Sequence, residues 1–236
     1  MKWHIRTNSR IKKKKYTFGR LGEIINKKYF NINRAKQKKG DRTRKVIGIL
    51  GTHNGVGVTH TAILMGTYLS EVKNVDTAIF EMNHKPDFQY LEQEYKGNGF
   101  SNYESRNFSI YDVHYFKQVK YEELSLLFNQ DFDYYILDFG AGTFELLHEF
   151  LRCDYKIVLG SLTEWKIHKL LEVYDYMKEI DMIHSIFFVS VFGQAYDGKY
   201  ISGKLSIKPY LLGYEPDPFL ISKKTIKLFD HIIWDK

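Results

Sequence analysis

Five short apolar runs, each followed by a turn and then a helical pattern, constrain this 236-residue chain more than any other feature. They are KVIGILG (45–51), DTAIFEMN (76–83), DYYILDFG (133–140), YKIVLGS (155–161) and SIFFVSVFG (185–193). Each is nearly continuous rather than alternating, so the strand it forms must be covered on both faces. Such strands alternating with helices predict an α/β fold, a doubly wound, mainly parallel sheet with helices on both faces. The helical segments are 59–72, with Ile63, Leu64, Tyr68, Leu69 and Val72 on one face, then 121–130, 144–151, 163–180 with Thr163 as N-cap, and 223–234. LSIKPYLLG (205–213) reads as a last strand and FSIYDVHYF (108–116) as one strand with partial alternation. KGNGFSNYESRN (96–107) and GQAYDGKYISGK (193–204) read as loops.

Charge divides the chain in two. Residues 1–45 hold 17 Lys or Arg against two acidic residues, Glu23 and Asp41, a balance of +15. The other 191 residues hold 18 basic and 26 acidic residues, a balance of −8. The expected organisation is a basic N-terminal arm (1–45) joined to a mildly acidic domain (46–236). The arm suits a polyanion, either nucleic acid or an anionic membrane surface; the plainer alternative is a solvated extension. Within it Leu21, Ile24, Ile25, Tyr29 and Phe30 are spaced as an apolar stripe on a short helix, as in surface-lying membrane segments and partner-docking segments. Cys153 is the single cysteine, so no internal disulfide forms and a reducing cytoplasm is the expected setting. No run reaches the roughly 18 apolar residues of a membrane span, and the N-terminus lacks the apolar core of a secretory signal.

The stretch ILGTHNGVGVTHT (49–61) joins the first strand to the first helix through a glycine-rich loop. Backbone N–H groups at a helix start carry partial positive charge and can cradle phosphate. Gly55 and Gly57 let the backbone turn and approach an anion without a Cβ in the way. The candidate nucleotide-binding residues are therefore Asn54, Gly55, Val56, Gly57, Val58, Thr59 and His60, and Thr59 offers a hydroxyl for Mg²⁺. The strict pattern G-x-x-x-x-G-K-[ST] is not met, because Thr52 stands at its first glycine and Val58 at its lysine. A tight turn with no ligand is the plain alternative.

The ordered set of strand, loop, helix, a strand ending FEMN, and then DFDYYILDFGAG resembles the ParA/MinD family of deviant Walker ATPases. The resemblance runs over residues 45–234. It implies a P-loop NTPase-like fold, ATP or ADP with Mg²⁺ as cofactors, and a homodimer. The family loop K-G-G-V-G-K-T matches HNGVGVT (53–59) without a gap, which puts the Mg²⁺-binding Thr on Thr59. The strand DYYILDFGAG (133–142) matches the family's Walker B strand and implies that Asp138 serves the metal. YEPDPF (214–219) matches a late turn before the last helix, where Glu215 and Asp217 would border a base pocket.

Four functional groups of that pattern differ here, three of them catalytic. The lysine that reaches across the family's dimer is His53, and the lysine that contacts the β- and γ-phosphates is Val58. The aspartate that orients the attacking water is Asn83, and the base-contacting Asn falls near Ser190. Phosphoryl transfer depends on positioned positive charge and an aligned nucleophile, and losing one such group costs about 10²–10³ in rate. The resemblance thus implies a catalytically impaired, pseudo-ATPase member with weak or no nucleotide binding, acting as a positioning or scaffold factor with an unidentified protein partner. The family's pilus-localisation branch (the TadZ/CpaE type) contains members with altered loops. Two alternatives stay open: a slow Mg-dependent ATPase of DNA partition, and a structural module with an empty loop. His53, His60, His84 and His114 fit no zinc spacing.

Overall fold

The computed structural model describes residues 44–96, 105–141, 146–191, 205 and 208–235. The apolar stripe of the arm and the 193–204 segment lie outside the described residues. One eight-stranded sheet organises the described part, in the order β3-β4-β2-β5-β1-β6-β7-β8. The strands are β1 (Lys45–Gly51), β2 (Thr77–Glu81), β3 (Asn107–Ile110), β4 (Val113–Phe116), β5 (Tyr134–Ala141), β6 (Tyr155–Gly160), β7 (Ile186–Val191) and β8 (Tyr210–Leu212). All neighbours are parallel except β3 and β4. The helices are α1 (Val58–Thr67), α2 (Asp87–Lys96), α3 (Leu124–Leu127), α4 (Leu147–Arg152), α5 (Ile167–Glu179) and α6 (Lys223–Ile233). The expected doubly wound α/β fold is the observed one.

The continuous apolar runs fill two cores, one on each face of the sheet. Ile47 and Ile49 of β1, Ile136 of β5 and Ile79 of β2 pack under α1 and α6 with Leu64, Tyr68 and Phe229. Leu50, Leu137, Phe139 and Phe80 point to the other face, against Phe150 of α4 and Leu170 and Met177 of α5. Period-two alternation thus assigns every strand position to a face. Asp138 shares the parity of Ile136, so its carboxyl goes to the α1 side. Gly48 lets α4 approach β1, since a Cβ there would meet Cys153 Sγ at 2.8 Å and Phe150 Cδ2 at 2.9 Å. Cys153 is accordingly a buried packing residue.

The structure corrects several element readings. Residues 108–116 are not one strand but a hairpin, β3–β4, turning at Tyr111 and Asp112 with φ of 48° and 61°. Paired left-handed residues make the tight turn whose twist suits a hairpin. Helix α2 covers residues that the sequence pattern assigned to no helix or strand; its buried residues are Phe88 and Glu92. Helix α5 begins at Ile167 rather than Thr163, whose carbonyl oxygen accepts from the backbone N–H of Lys166 and Ile167. The first helix runs Val58–Thr67 and continues as a π-helical turn, Tyr68–Val72. The 121–130 helix contracts to a 3₁₀ turn at Tyr121–Glu123 followed by α3. Among the described residues no helix is long and apolar enough to cross a membrane.

Candidate functional site

In an open, doubly wound sheet, ligands bind beyond the carboxyl ends of the strands, where successive connections leave in opposite directions. Here β1 lies between β5 and β6, and its carboxyl end carries the 52–57 loop. The loop is tied down at Thr52, whose N–H donates to the Leu159 carbonyl at 2.9 Å. Gly55 and Gly57 have φ of 80° and 93°, the left-handed region that glycine enters without penalty. Neither would meet any atom within 4 Å if it carried a Cβ. The open side of the loop is therefore free space, not packed protein.

Helix α1 starts at the end of this loop with no side-chain cap and no acidic residue in its first turn. The first N–H groups of a helix have no intrahelical acceptor, so here they remain available to an outside one. They face a cavity of about 180 Å³ lined by Gly55, Val56, Gly57, Val58, Thr59, His60, Asn83, Lys85, Asp87, Gly140 and Ala141. Six of the seven expected loop residues line it. Asn54 is exposed beside the cavity and accepts from Lys85 Nζ at 3.4 Å.

Thr59 and Asp138, the two residues named for the cation through the resemblance, are in direct contact. The Thr59 hydroxyl donates to Asp138 Oδ2 at 2.7 Å, and the Gly140 N–H donates to Oδ1 at 2.9 Å. Asp138 is fully buried. Burial pushes its carboxyl up to about 6, and the bonds from Thr59 and Gly140 pull the other way. A buried carboxylate without a cation partner is costly, and a divalent cation beside Thr59 would relieve that cost. Among the described residues no three His, Cys, Asp or Glu side chains converge on a metal position. A hydroxyl plus one carboxylate, completed by phosphate oxygens and water, is the donor set Mg²⁺ uses.

Position 58 is filled by an apolar side chain. Val58 is buried and packs over Gly51, where a Cβ would meet Val58 Cγ2 at 2.6 Å and Val56 Cγ1 at 2.7 Å. His53 sits half-buried beside Thr52, with its Nδ1 2.9 Å from the Thr52 hydroxyl. Burial, then the positive charges of Lys166 and His168, lower its pKa. Asn83 reaches the cavity because Gly140, at φ 65°, has no Cβ; one there would meet Asn83 Cβ at 2.7 Å. The Asn83 Nδ2 is buried and meets no acceptor at full hydrogen-bond geometry, although its amide is near enough to Asp138 to help hold that carboxyl's pKa down.

Two cavity residues escaped the sequence reading, Lys85 and Asp87. Asp87 Oδ2 lies 3.4 Å from the Thr59 hydroxyl. Both belong to NHKPD, the loop leaving β2. The signal was available, since a parallel sheet aligns strand ends, and Glu81 is the direct neighbour of Asp138 across β2 and β5. Glu81 is itself buried, with Oε1 accepting from the Phe88 N–H at 2.8 Å and Oε2 from the Gln118 N–H at 3.1 Å. Burial drives its pKa up to about 7. These bonds anchor the start of α2 and thus the loop carrying Lys85 and Asp87.

Glu215 and Asp217 do not line the cavity. Glu215 accepts from the Ser222 N–H and the Thr225 hydroxyl at the start of α6, and Asp217 accepts from the Phe219 N–H. Ser190 is buried with an unpartnered Oγ. A larger hollow of about 310 Å³ on the far side of the β2–α2 loop is lined by groups already paired, including Lys117 with Glu92 at 2.8 Å and Arg106 with Glu123 at 2.5 Å.

No protein-family model matches the sequence, and no curated protein does. Solved structures match its fold. A plasmid partition protein of Borrelia burgdorferi B31 bound to AMPPNP is 18% identical with a TM-score of 0.58, covering 81% of this chain and 97% of its own. The MinD cell division protein of Aquifex aeolicus is 14% identical with a TM-score of 0.56, covering 79% and 94%. The septum site-determining protein MinD of Pyrococcus horikoshii OT3, complexed with Mg-ADP, is 12% identical with a TM-score of 0.56, covering 79% and 93%. The chain has the P-loop NTPase-like fold of the ParA and MinD proteins.

Proposed function

We propose that this chain is a catalytically impaired ParA/MinD-type protein that acts as a positioning or scaffold factor. In this reading it holds a nucleoside di- or triphosphate with Mg²⁺ weakly and turns it over little or not at all. The observation that carries it is the Thr59–Asp138 bond beside an uncapped helix start, with a buried valine where a phosphate lysine would stand. Thr59 and Asp138 would hold the cation, and the backbone of residues 54–60 the phosphates. Solved proteins of the same fold were crystallised with AMPPNP and with Mg-ADP, which supports this choice of ligand class.

The cellular role proposed with it is positioning at a membrane surface, in pilus or secretion assembly, by a homodimer in the cytoplasm. The solved MinC:MinD complex of Aquifex aeolicus illustrates a protein partner on this fold. The basic arm would supply the surface contact. The slow-ATPase reading draws on one observation, that Asp87 brings a carboxylate to the cavity where Asn83 replaces the family's aspartate.

Calorimetry of the full chain with Mg-AMPPNP tests the site. Binding is expected in the high micromolar range, where 1 mM corresponds to about −4 kcal/mol. Val58→Lys is expected to tighten it, since the valine already lines the cavity. An unchanged affinity in that variant would show that the loop is not a phosphate cradle.

A further inference from the structure

We propose that Lys85 supplies, from the loop after β2, the positive charge that position 58 lacks, contacting the terminal phosphates of a nucleotide in the loop cavity. This rests on the nucleotide-binding reading above and names the residue that makes it workable without a loop lysine. Among the described residues lining the cavity, Lys85 is the one Lys or Arg, beside the carboxylates of Asp87 and, behind Thr59, Asp138. Its Nζ touches a neutral oxygen, Asn54 Oδ1, at 3.4 Å, and it forms no ion pair among the described residues. An exposed ammonium held at an acidic cavity without a carboxylate partner has its charge free for an incoming anion.

The loop that presents it is preorganised. Asn83 Oδ1 accepts from the Lys85 N–H at 2.9 Å, the local turn that asparagine favours. Pro86 follows and restricts the Lys85 backbone to extended conformations. Glu81 pins the next segment through the Phe88 N–H. A lysine side chain carries a compact charge on a flexible stem, so it can reach phosphate from the neighbouring strand end as well as from the loop itself.

Calorimetry of the full-length protein with Mg-AMPPNP and with AMP, on wild type, Lys85→Ala, Val58→Lys and the double variant, tests the assignment. Lys85 is exposed, so its truncation leaves the fold intact. The expected result is that Lys85→Ala weakens Mg-AMPPNP at least about tenfold, the scale of one hydrogen bond to a charged group. AMP, which lacks the terminal phosphates, should change by less than about twofold, and Val58→Lys should restore Mg-AMPPNP binding in the Lys85→Ala background. Equal Mg-AMPPNP affinity of Lys85→Ala and wild type would overturn the role of Lys85 while leaving the cavity a nucleotide site. An equal loss for AMP and AMPPNP would also overturn it. Absence of Mg-AMPPNP binding by the wild type would overturn both readings.

Discussion

Thr59 and Asp138, 79 residues apart in the chain, meet at 2.7 Å, hydroxyl to carboxylate, at the adjacent ends of α1 and β5. Nothing in the core requires this pair. Ile136, two residues earlier on the same face, is packed and apolar, and a third apolar residue at 138 would be the cheaper solution. The pair marks a position where stability is given up, as the proposed cation site would require.

Asp138→Asn measures what is given up. With its pKa moved from 3.8 to about 6, the carboxyl binds more protons folded than unfolded between those values, so stability falls as pH rises through that window. Above it the penalty is about 3 kcal/mol. Asparagine keeps an acceptor for the Gly140 N–H and removes the charge. Urea denaturation at pH 7.5 should show the variant more stable than wild type in the absence of nucleotide and Mg²⁺, with the gain gone at pH 4.

Glu81 adds to the same trend, its pKa standing at about 7 against 4.5. His53 opposes it, because a lowered pKa makes its contribution fade as pH falls below 6.5. The two carboxyls carry the larger shifts, so the ligand-free protein should be more stable near pH 5 than near pH 7.5. Thermal melts across that range check it. Glu81→Gln should flatten this pH dependence, because the amide loses one backbone acceptor bond at every pH but no longer ionises as pH rises through about 7.

Gly57→Ala separates folding from binding. The added Cβ meets nothing within 4 Å but must adopt φ 93°. The strain is about 1–2 kcal/mol, while the methyl enters the open space in which the proposed phosphate would lie. A modest loss in melting temperature with complete loss of Mg-AMPPNP binding is expected. Gly48→Ala should do the reverse, costing about 1–3 kcal/mol by overpacking against Cys153 and Phe150 with binding retained.

The strands were legible in the sequence because continuous apolar runs identify covered strands. Thr59 was named from its place in the glycine loop, whereas Asp138 was named only through the family resemblance. The β3–β4 hairpin was not legible, because Tyr111–Asp112 has no glycine to announce the turn. Nor was α2, whose exposed surface leaves Phe88 and Glu92 too sparse for a helical stripe. Lys85 and Asp87 were missed for a different reason. Motif spacing looks for cations within the loop, whereas these arrive from β2 through the register that pairs Glu81 with Asp138.

The arm gives a test that needs no nucleotide. Near an anionic membrane each Lys or Arg contributes about 1 kcal/mol, so a third of the 17 in residues 1–45 suffices for micromolar attachment. Duplex DNA would also bind, with affinity falling steeply with salt. Ile24→Ser with Ile25→Ser should weaken binding to anionic liposomes and leave DNA binding nearly unchanged, because only acyl chains can take up the apolar stripe. Binding to both surfaces by a chain lacking residues 1–44 would show the arm to be a bystander.

Steady-state phosphate release from Mg-ATP tests the central claim most directly. In the proposed function, a site with Val58 and Asn83 at the positions of the phosphate lysine and the water-orienting aspartate would hold its ligand without an aligned nucleophile. The full-length protein should release no phosphate above the no-enzyme background, and Asp138→Ala should match it. Release within about tenfold of an intact ParA or MinD protein assayed beside it, and abolished by Asp138→Ala, would contradict the account.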